Sequence, residues 1–259
     1  MHPFYFGKTE QPLYGVIHNP SGGNYRNSAI LLCNSIGYEN IRCHRALRWL
    51  ANQLSESGYY VLRFDYSGVG DSSGTFEDKD MSHWKEDILL AKEELCAISG
   101  LQTIDCVGIR LGATLACNAL SDAGIKTLAL LDPIINGNDY LRTLDRLQDE
   151  VVKSPMWFQV PRERKKIPGN EFLGYRYSPT LLQQLSEDNI IDDSQQTASR
   201  LLHLYTDESA VIETAPANLN DTDFISEHLL DDSKWGQLES IDSSLIANHA
   251  VDRVIQELS

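Results

Sequence analysis

The sequence predicts an α/β protein with a mostly parallel central sheet flanked by helices, and three observations predict it. Short apolar runs alternate with stretches whose apolar residues recur at helical spacing, the pattern of βαβ crossovers that cover both faces of a parallel sheet. A strand pattern at Thr103 to Ile109 passes through a Gly-x-x-x-Gly turn, Gly108 to Gly112, directly into an alanine-rich helix. At 259 residues, 42% hydrophobic and 23% charged, the chain suits one large soluble α/β domain with a sizeable core.

Leu13 to His18 and Ala29 to Cys33 read as two early strands, parted by the turn-rich stretch Asn19-Pro20-Ser21-Gly22-Gly23-Asn24. The second runs into Asn34-Ser35-Ile36-Gly37-Tyr38-Glu39. From about Ile41 to Ser57, residues Ala46, Leu47, Leu50, Ala51 and Leu54 recur at helical spacing, and Gly58 stops the helix. Tyr59 to Phe64 is a strand, followed by the glycine-rich Asp65-Tyr66-Ser67-Gly68-Val69-Gly70-Asp71-Ser72. A helix from about Ser82 to Ala97 carries Trp84, Ile88, Leu89, Ala91 and Leu95. The helix after the Gly-x-x-x-Gly turn extends to about Asp122, and Thr127 to Leu131 is a strand ending in Asp132-Pro133. Residues 138–193 break the rhythm with an amphipathic stretch (Tyr140, Leu141, Leu144, Leu147), a basic run at Arg162 to Lys166, and four prolines. An insertion of this length reads as a lid or binding loop. The expected organisation is a core of residues 1–137 and 194–259 with residues 138–193 as a cap. Arg200 to Tyr205 is a strand, Glu227 to Leu230 a weaker one, and Ser243 to Leu258 a closing helix.

The formal net charge of −15 argues against a nucleic-acid groove and against an acidic membrane surface. Cys33, Cys43, Cys96, Cys106 and Cys117 are odd in number and include no Cys-x-x-Cys pair, so neither a disulfide framework nor a metal site is expected. Reduced thiols, no signal peptide and no membrane-spanning run lead to the expectation of a cytoplasmic protein. No cofactor is expected, and a homodimer stays open.

The layout at Gly108-Ile109-Arg110-Leu111-Gly112 is that of the nucleophile elbow, Gly-x-Ser-x-Gly, in which a tight strand-to-helix turn lifts a serine above the sheet. Here the serine slot holds Arg110, whose guanidinium cannot be deprotonated in a protein and cannot act as the nucleophile. The Asp65-x-x-Gly68-x-Gly70-x-Ser72 loop resembles that of α/β-hydrolases of the serine-aminopeptidase-like type. More narrowly, the chain is similar to the bacterial group called exosortase A system-associated hydrolases. That resemblance rests on Pro3-Phe4-Tyr5-Phe6, Gly37-Tyr38-Glu39, Trp84, the Gly-x-Arg-x-Gly-Ala elbow, Leu131-Asp132-Pro133-Ile134-Ile135-Asn136-Gly137 and Gly174-Tyr175. It implies the α/β-hydrolase fold with a lid and a place in exopolysaccharide or natural-product biosynthesis; a shared fold does not transfer a reaction.

A Ser-His-Asp enzyme needs a nucleophile on the elbow, a histidine within hydrogen-bond reach and a carboxylate to orient it. Asp207, just beyond the Leu201 to Tyr205 strand, could hold the carboxylate role or be an exposed turn residue. The loop before the last helix offers Lys234, while His249 falls inside the closing helix pattern, as a catalytic candidate or a surface residue. Ser35 sits where one oxyanion-hole N–H normally arises and is a substitute nucleophile to test. Arg110 at a helix N-terminus opposes the macrodipole and calls for a carboxylate partner, with Glu39 first and Asp132 second. Such a pair either locks a dead pocket or presents a fork to a substrate carboxylate, phosphate or developing oxyanion. Ile36, Leu111 and Tyr175 are the expected substrate contacts. Two functions compete. One is an enzyme acting without a Ser-His-Asp triad on an acyl, ester or thioester intermediate, small or carrier-bound, in a bacterial biosynthetic pathway. The other is a pseudoenzyme that binds or scaffolds.

Overall fold

The computed structural model describes residues 1–21, 23, 25–120, 124–154, 169–192, 198–206, 208–212, 219, 223–229 and 248–258. In chain order the elements are β1 (His2–Lys8), β2 (Gln11–His18), β3 (Ala29–Cys33), α1 (Tyr38–Glu56), β4 (Tyr60–Phe64), α2 (Met81–Ser99), β5 (Ile104–Ile109) and α3 (Leu111–Ala119). They continue with β6 (Ile125–Leu131), α4 (Gly137–Lys153), β7 (Glu171–Phe172), β8 (Tyr175–Arg176), α5 (Pro179–Leu185), β9 (Arg200–Tyr205), β10 (Phe224–His228) and α6 (Asn248–Leu258).

Eight strands form one sheet in the order β1-β2-β4-β3-β5-β6-β9-β10, and β7 and β8 pair separately. The β1–β2 and β2–β4 pairs are antiparallel. The pairs from β4 through β3, β5, β6 and β9 to β10 are parallel. β3, β5 and β6 are buried almost throughout and read as unbroken apolar runs, as strands covered on both faces must. One core cluster gathers Leu31, Leu62, Trp84, Ile88 and Leu115 beneath α2 and α3. The other gathers Ile30, Leu32, Val61, Leu50, Leu54 and Val254 beneath α1 and α6. After β3 the chain goes to β4 on one side and then to β5 on the other. The strand order therefore reverses at β3, and a crevice opens between the carboxyl ends of β3 and β5, where open α/β sheets bind ligands.

Local chemistry sets the boundaries. Asp80 caps α2 by accepting the N–H groups of Ser82 and His83, and Gly100 ends it in the left-handed conformation. Asn136 caps α4 through the Asp139 N–H, and Ser178 caps α5 with Pro179 in its first turn. Two sequence expectations need correction. The strand expected at Glu227 to Leu230 lies at Phe224–His228, because Phe224 and Ile225 supply its half-buried positions beside β9. The opening β1 hairpin was not anticipated, although Phe4 and Phe6 pack inward on one of its faces. The basic run at residues 162–166 lies outside the described residues.

Candidate active site

β5 ends in a turn whose geometry is set by close packing. A Cβ on Gly112 would stand 2.0 Å from the Asn34 carbonyl oxygen, and one on Gly108 would stand 2.5 Å from the Ala113 Cα. Only glycine permits that approach of the turn to the β3 loop. Between them Arg110 is held at φ 54° and ψ −127°, a strained conformation for a residue with a Cβ. Its N–H donates to the Leu131 carbonyl and its own carbonyl accepts the Ala113 N–H, both at 2.9 Å. The elbow is intact, and arginine occupies its tip.

Arg110 is 7% exposed, and its side chain turns toward the first turn of α1. Nε and Nη2 both donate to Glu39 Oε1 at 3.1 Å, and Nη1 donates to the Asp132 carbonyl at 3.2 Å. The other Glu39 oxygen, Oε2, accepts the Ser35 hydroxyl at 2.8 Å. Burial opposes the guanidinium charge, but the carboxylates of Glu39 and Asp132 outweigh it and hold Arg110 above its ordinary pKa. The Asp132 carboxylate accepts the Thr206 N–H at 2.6 Å and its hydroxyl at 2.9 Å, with Asp132 itself at φ 44°.

Three buried tyrosines surround Glu39. Burial first, and then the Glu39 charge, push the hydroxyls of Tyr38 and Tyr140 up. Burial raises Tyr177 in the same way. Tyr177 places its hydroxyl directly over Gly37, with Tyr175 beside it. The Tyr140 hydroxyl is directed at that of Tyr177, an interaction that partly offsets the effect of burial on Tyr177. A cavity of about 180 Å³ separates the elbow from α4 and is lined by Arg110, Pro133, Ile135, Tyr140, Arg146 and Ser209.

The structure thus brings together Arg110, Glu39, Ser35 and Asp132, with Tyr175 above the β3 loop. Ile36 and Leu111 are buried at the junction of that loop and the elbow. Leu111 is the first residue of α3, so its N–H has no partner within the helix. Ser35 is 0% exposed and its hydroxyl is committed to Glu39 rather than to a histidine. His249 lies exposed in the first turn of α6, whose Ala250 and Val251 pack beside Asp132 and Thr206. Asp207 and Lys234 lie outside the described residues. His203, not singled out from the sequence, is buried in β9, with Nε2 2.7 Å from the Ala210 carbonyl and Nδ1 2.9 Å from the Ser226 hydroxyl. Burial lowers its pKa, so it stays a neutral core residue. Tyr38, Tyr140, Tyr177 and Thr206 were also missed as site residues; an aromatic at helical spacing carries no mark that separates a pocket wall from a core. Cys33 and Cys106 are buried with their sulfurs 3.7 Å apart, and that contact together with burial pushes the Cys106 thiol up. Neither is poised as a thiolate nucleophile. Among the described residues, no group of three or more His, Cys, Asp or Glu side chains could hold a metal ion.

Residues 21–152, about half of the 259-residue chain, match the family model described as acyl transferase. The chain belongs to the acyl transferase family. That matched segment contains the β3 loop, the elbow and most of α4. Within curated proteins, this family member is 31% identical over 96 residues to the human mitochondrial palmitoyl-protein thioesterase ABHD10, covering 37% of this chain and 30% of that one. It is 28% identical over 134 residues to an acyl transferase of Photobacterium phosphoreum, covering 50% of this chain and 42% of that one. The aligned parts therefore span less than half of either relative's length. Among solved structures, Est1E from Butyrivibrio proteoclasticus with ferulic acid bound superposes with a TM-score of 0.63 at 17% identity, over 98% of this chain and 99% of that one. Mouse ABHD10 superposes with a TM-score of 0.54 at 15% identity, over the full length of both chains. These likenesses establish the α/β-hydrolase fold for this acyl transferase family member. No helix among the described residues is long and apolar enough to cross a membrane.

Proposed function

We propose that this protein binds an acyl ester or thioester in the cavity between the elbow and α4, and that it does so without forming an acyl-enzyme at the elbow. The observation that carries this reading is the Arg110–Glu39 pair. The position from which a serine would attack is filled by a cation whose fork is bound to a buried carboxylate. The cap expected from the sequence contributes Tyr140 and Arg146 of α4 to the wall of that cavity. The acyl carbonyl meets Arg110 and the Leu111 N–H, donors suited to an oxygen that is negative or strongly polarised. The thioesterase and acyl transferase named above support an acyl ligand. A bacterial biosynthetic pathway, expected from the sequence resemblance, remains part of the proposal.

Thermal shift and isothermal titration with medium-chain acyl thioesters test the proposal. We expect saturable binding by the wild type, weakened by Tyr140→Trp, which fills the cavity. Absence of binding by acyl thioesters, esters and the matching free acids would overturn it.

A second reading retains turnover, with Arg110 polarising the carbonyl for direct attack by water or an acceptor. Its support is that Arg110 itself lines the cavity. Hydrolysis of p-nitrophenyl esters above blank, lost in Arg110→Ala, would favour it over silent binding.

A further inference from the structure

A second and larger cavity, of about 370 Å³, runs between strands β1, β2 and β4 and the flank of α1 and reaches Asn34 of the β3 loop at its inner end; it shares no lining residue with the elbow cavity. On β2, Leu13 and Ile17 are buried toward α2, while the alternate residues Tyr14 and Val16 stay half-exposed on the α1 side. Tyr5 of β1 packs edge-on against Tyr14 and is 62% exposed. Among the described residues no layer covers this apolar floor of the sheet, and Leu47 of α1 forms one wall.

Two arginines face this floor. Arg110, Arg142, Arg146, Arg176, Arg200 and Arg253 each have a carboxylate oxygen within 4.0 Å. Among the described residues Arg48 and Arg63 make no ion pair, although acids outnumber basic residues 37 to 22. Arg63 is half-buried and uses Nε to donate to His18 Nε2 at 3.2 Å. Between Glu39 and Glu56, α1 carries Arg42, Arg45 and Arg48 and no acid. Burial and the Arg48 charge pull the pKa of Arg63 down, and burial with both arginines pulls His44 down. The Asp65 carboxylate offsets that only in part, since burial and the Arg48 charge still pull the Arg63 pKa down, and an arriving anion would relieve the half-buried guanidinium. Asp65 and Asp71 also line the cavity, with Asp65 accepting the Asp71 N–H at 3.1 Å. Their charge disfavours a ligand that is anionic at both ends.

We propose that this trough is a second binding site, separate from the elbow cavity, for a small organic anion with one charged end. Its phosphate or carboxylate head lies between Arg48 and Arg63, and its apolar body lies on Tyr14, Val16 and Leu47. This goes beyond the acyl-binding reading and does not depend on it.

Isothermal titration of the full chain with hexyl phosphate, hexanoate, inorganic phosphate and hexanol tests it, alongside nuclear magnetic resonance titration of the His44 imidazole. Binding of at least one hexyl anion is expected with a Kd of about 1 mM or below, and hexanol and inorganic phosphate should bind at least about tenfold more weakly. The stronger of the two hexyl anions identifies the head group. Replacing the exposed Arg48 with Gln should weaken binding about tenfold, and Arg63→Gln similarly, because each loses a charge-assisted pair. Arg146→Gln, in the elbow cavity, should leave it unchanged. The bound anion should raise the His44 pKa. Equal affinity in wild type and Arg48→Gln, hexanol binding as tightly as the anions, or no binding at about 1 mM would overturn the proposal. Sensitivity to Arg146→Gln alone would place the anion in the elbow cavity, overturning the second site while leaving the acyl-binding reading intact.

Discussion

Removing one partner of a buried ion pair strands the other charge, and Arg110 and Glu39 form such a pair with 7% and 1% of their surfaces exposed. Glu39→Gln should therefore destabilise the fold by about 3–5 kcal/mol in urea denaturation, and Arg110→Ala by a similar amount. The Glu39→Gln/Arg110→Ala double variant should recover much of the loss, since neither charge is left alone; additive losses would show that the two act independently. A second residue-scale effect is set by pH. Burial first, and then Arg63, pull the His18 pKa from 6.5 to about 4. Between those values the unfolded chain holds more protons on His18 than the folded one, so this contribution is complete above pH 6.5 and is lost as pH falls toward 4. His18→Gln should flatten that part of the stability profile by at most about 3 kcal/mol. An unchanged slope would assign the acid sensitivity to other groups. The Glu39 partner was legible in the sequence because a cation at a helix N-terminus demands a carboxylate. The tyrosines around it were not, since burial decides their role and residue type does not.

At the scale of elements, the elbow is a steric device before it is a chemical one. Gly112 lets the turn touch the β3 loop, and a Cβ there meets the Asn34 oxygen at 2.0 Å, which cannot be relieved by a side-chain rotation. Gly112→Ala should lower stability by about 3 kcal/mol or more, read as the urea midpoint at unchanged slope. Asp80→Ala removes the cap of α2, a hydrogen-bond acceptor for two N–H groups, and should cost about 1 kcal/mol. A loss near zero would mean that tertiary packing alone fixes the start of that helix. Strand, turn and helix around the elbow were readable because the glycine spacing and the change from strand to helical periodicity fall together. The β1 hairpin was harder to read: Pro3 and Gly7 interrupt its pattern, and most of its residues are exposed. α5 spans seven residues, too short for its periodicity to stand out, although Ser178-Pro179 is a recognisable start signal.

For the whole molecule, the reversal of strand order at β3 decides where chemistry can occur. It sets the β3 loop and the elbow on either side of one crevice, which is why Ser35 and Glu39 meet a residue from β5. The alternation of strands and helices made this architecture legible, because parallel crossovers leave few alternatives. Which groups face the cavity was not legible, since it depends on how α4 packs across the sheet edge. In the proposed function an acyl ligand meets the elbow without being transferred to it. Intact-protein mass spectrometry after incubation with a medium-chain acyl thioester, alongside a serine-reactive fluorophosphonate, tests this most directly. An unmodified mass is expected in both cases. A stoichiometric acyl or phosphonyl adduct, above all one mapping to Ser35, would contradict it.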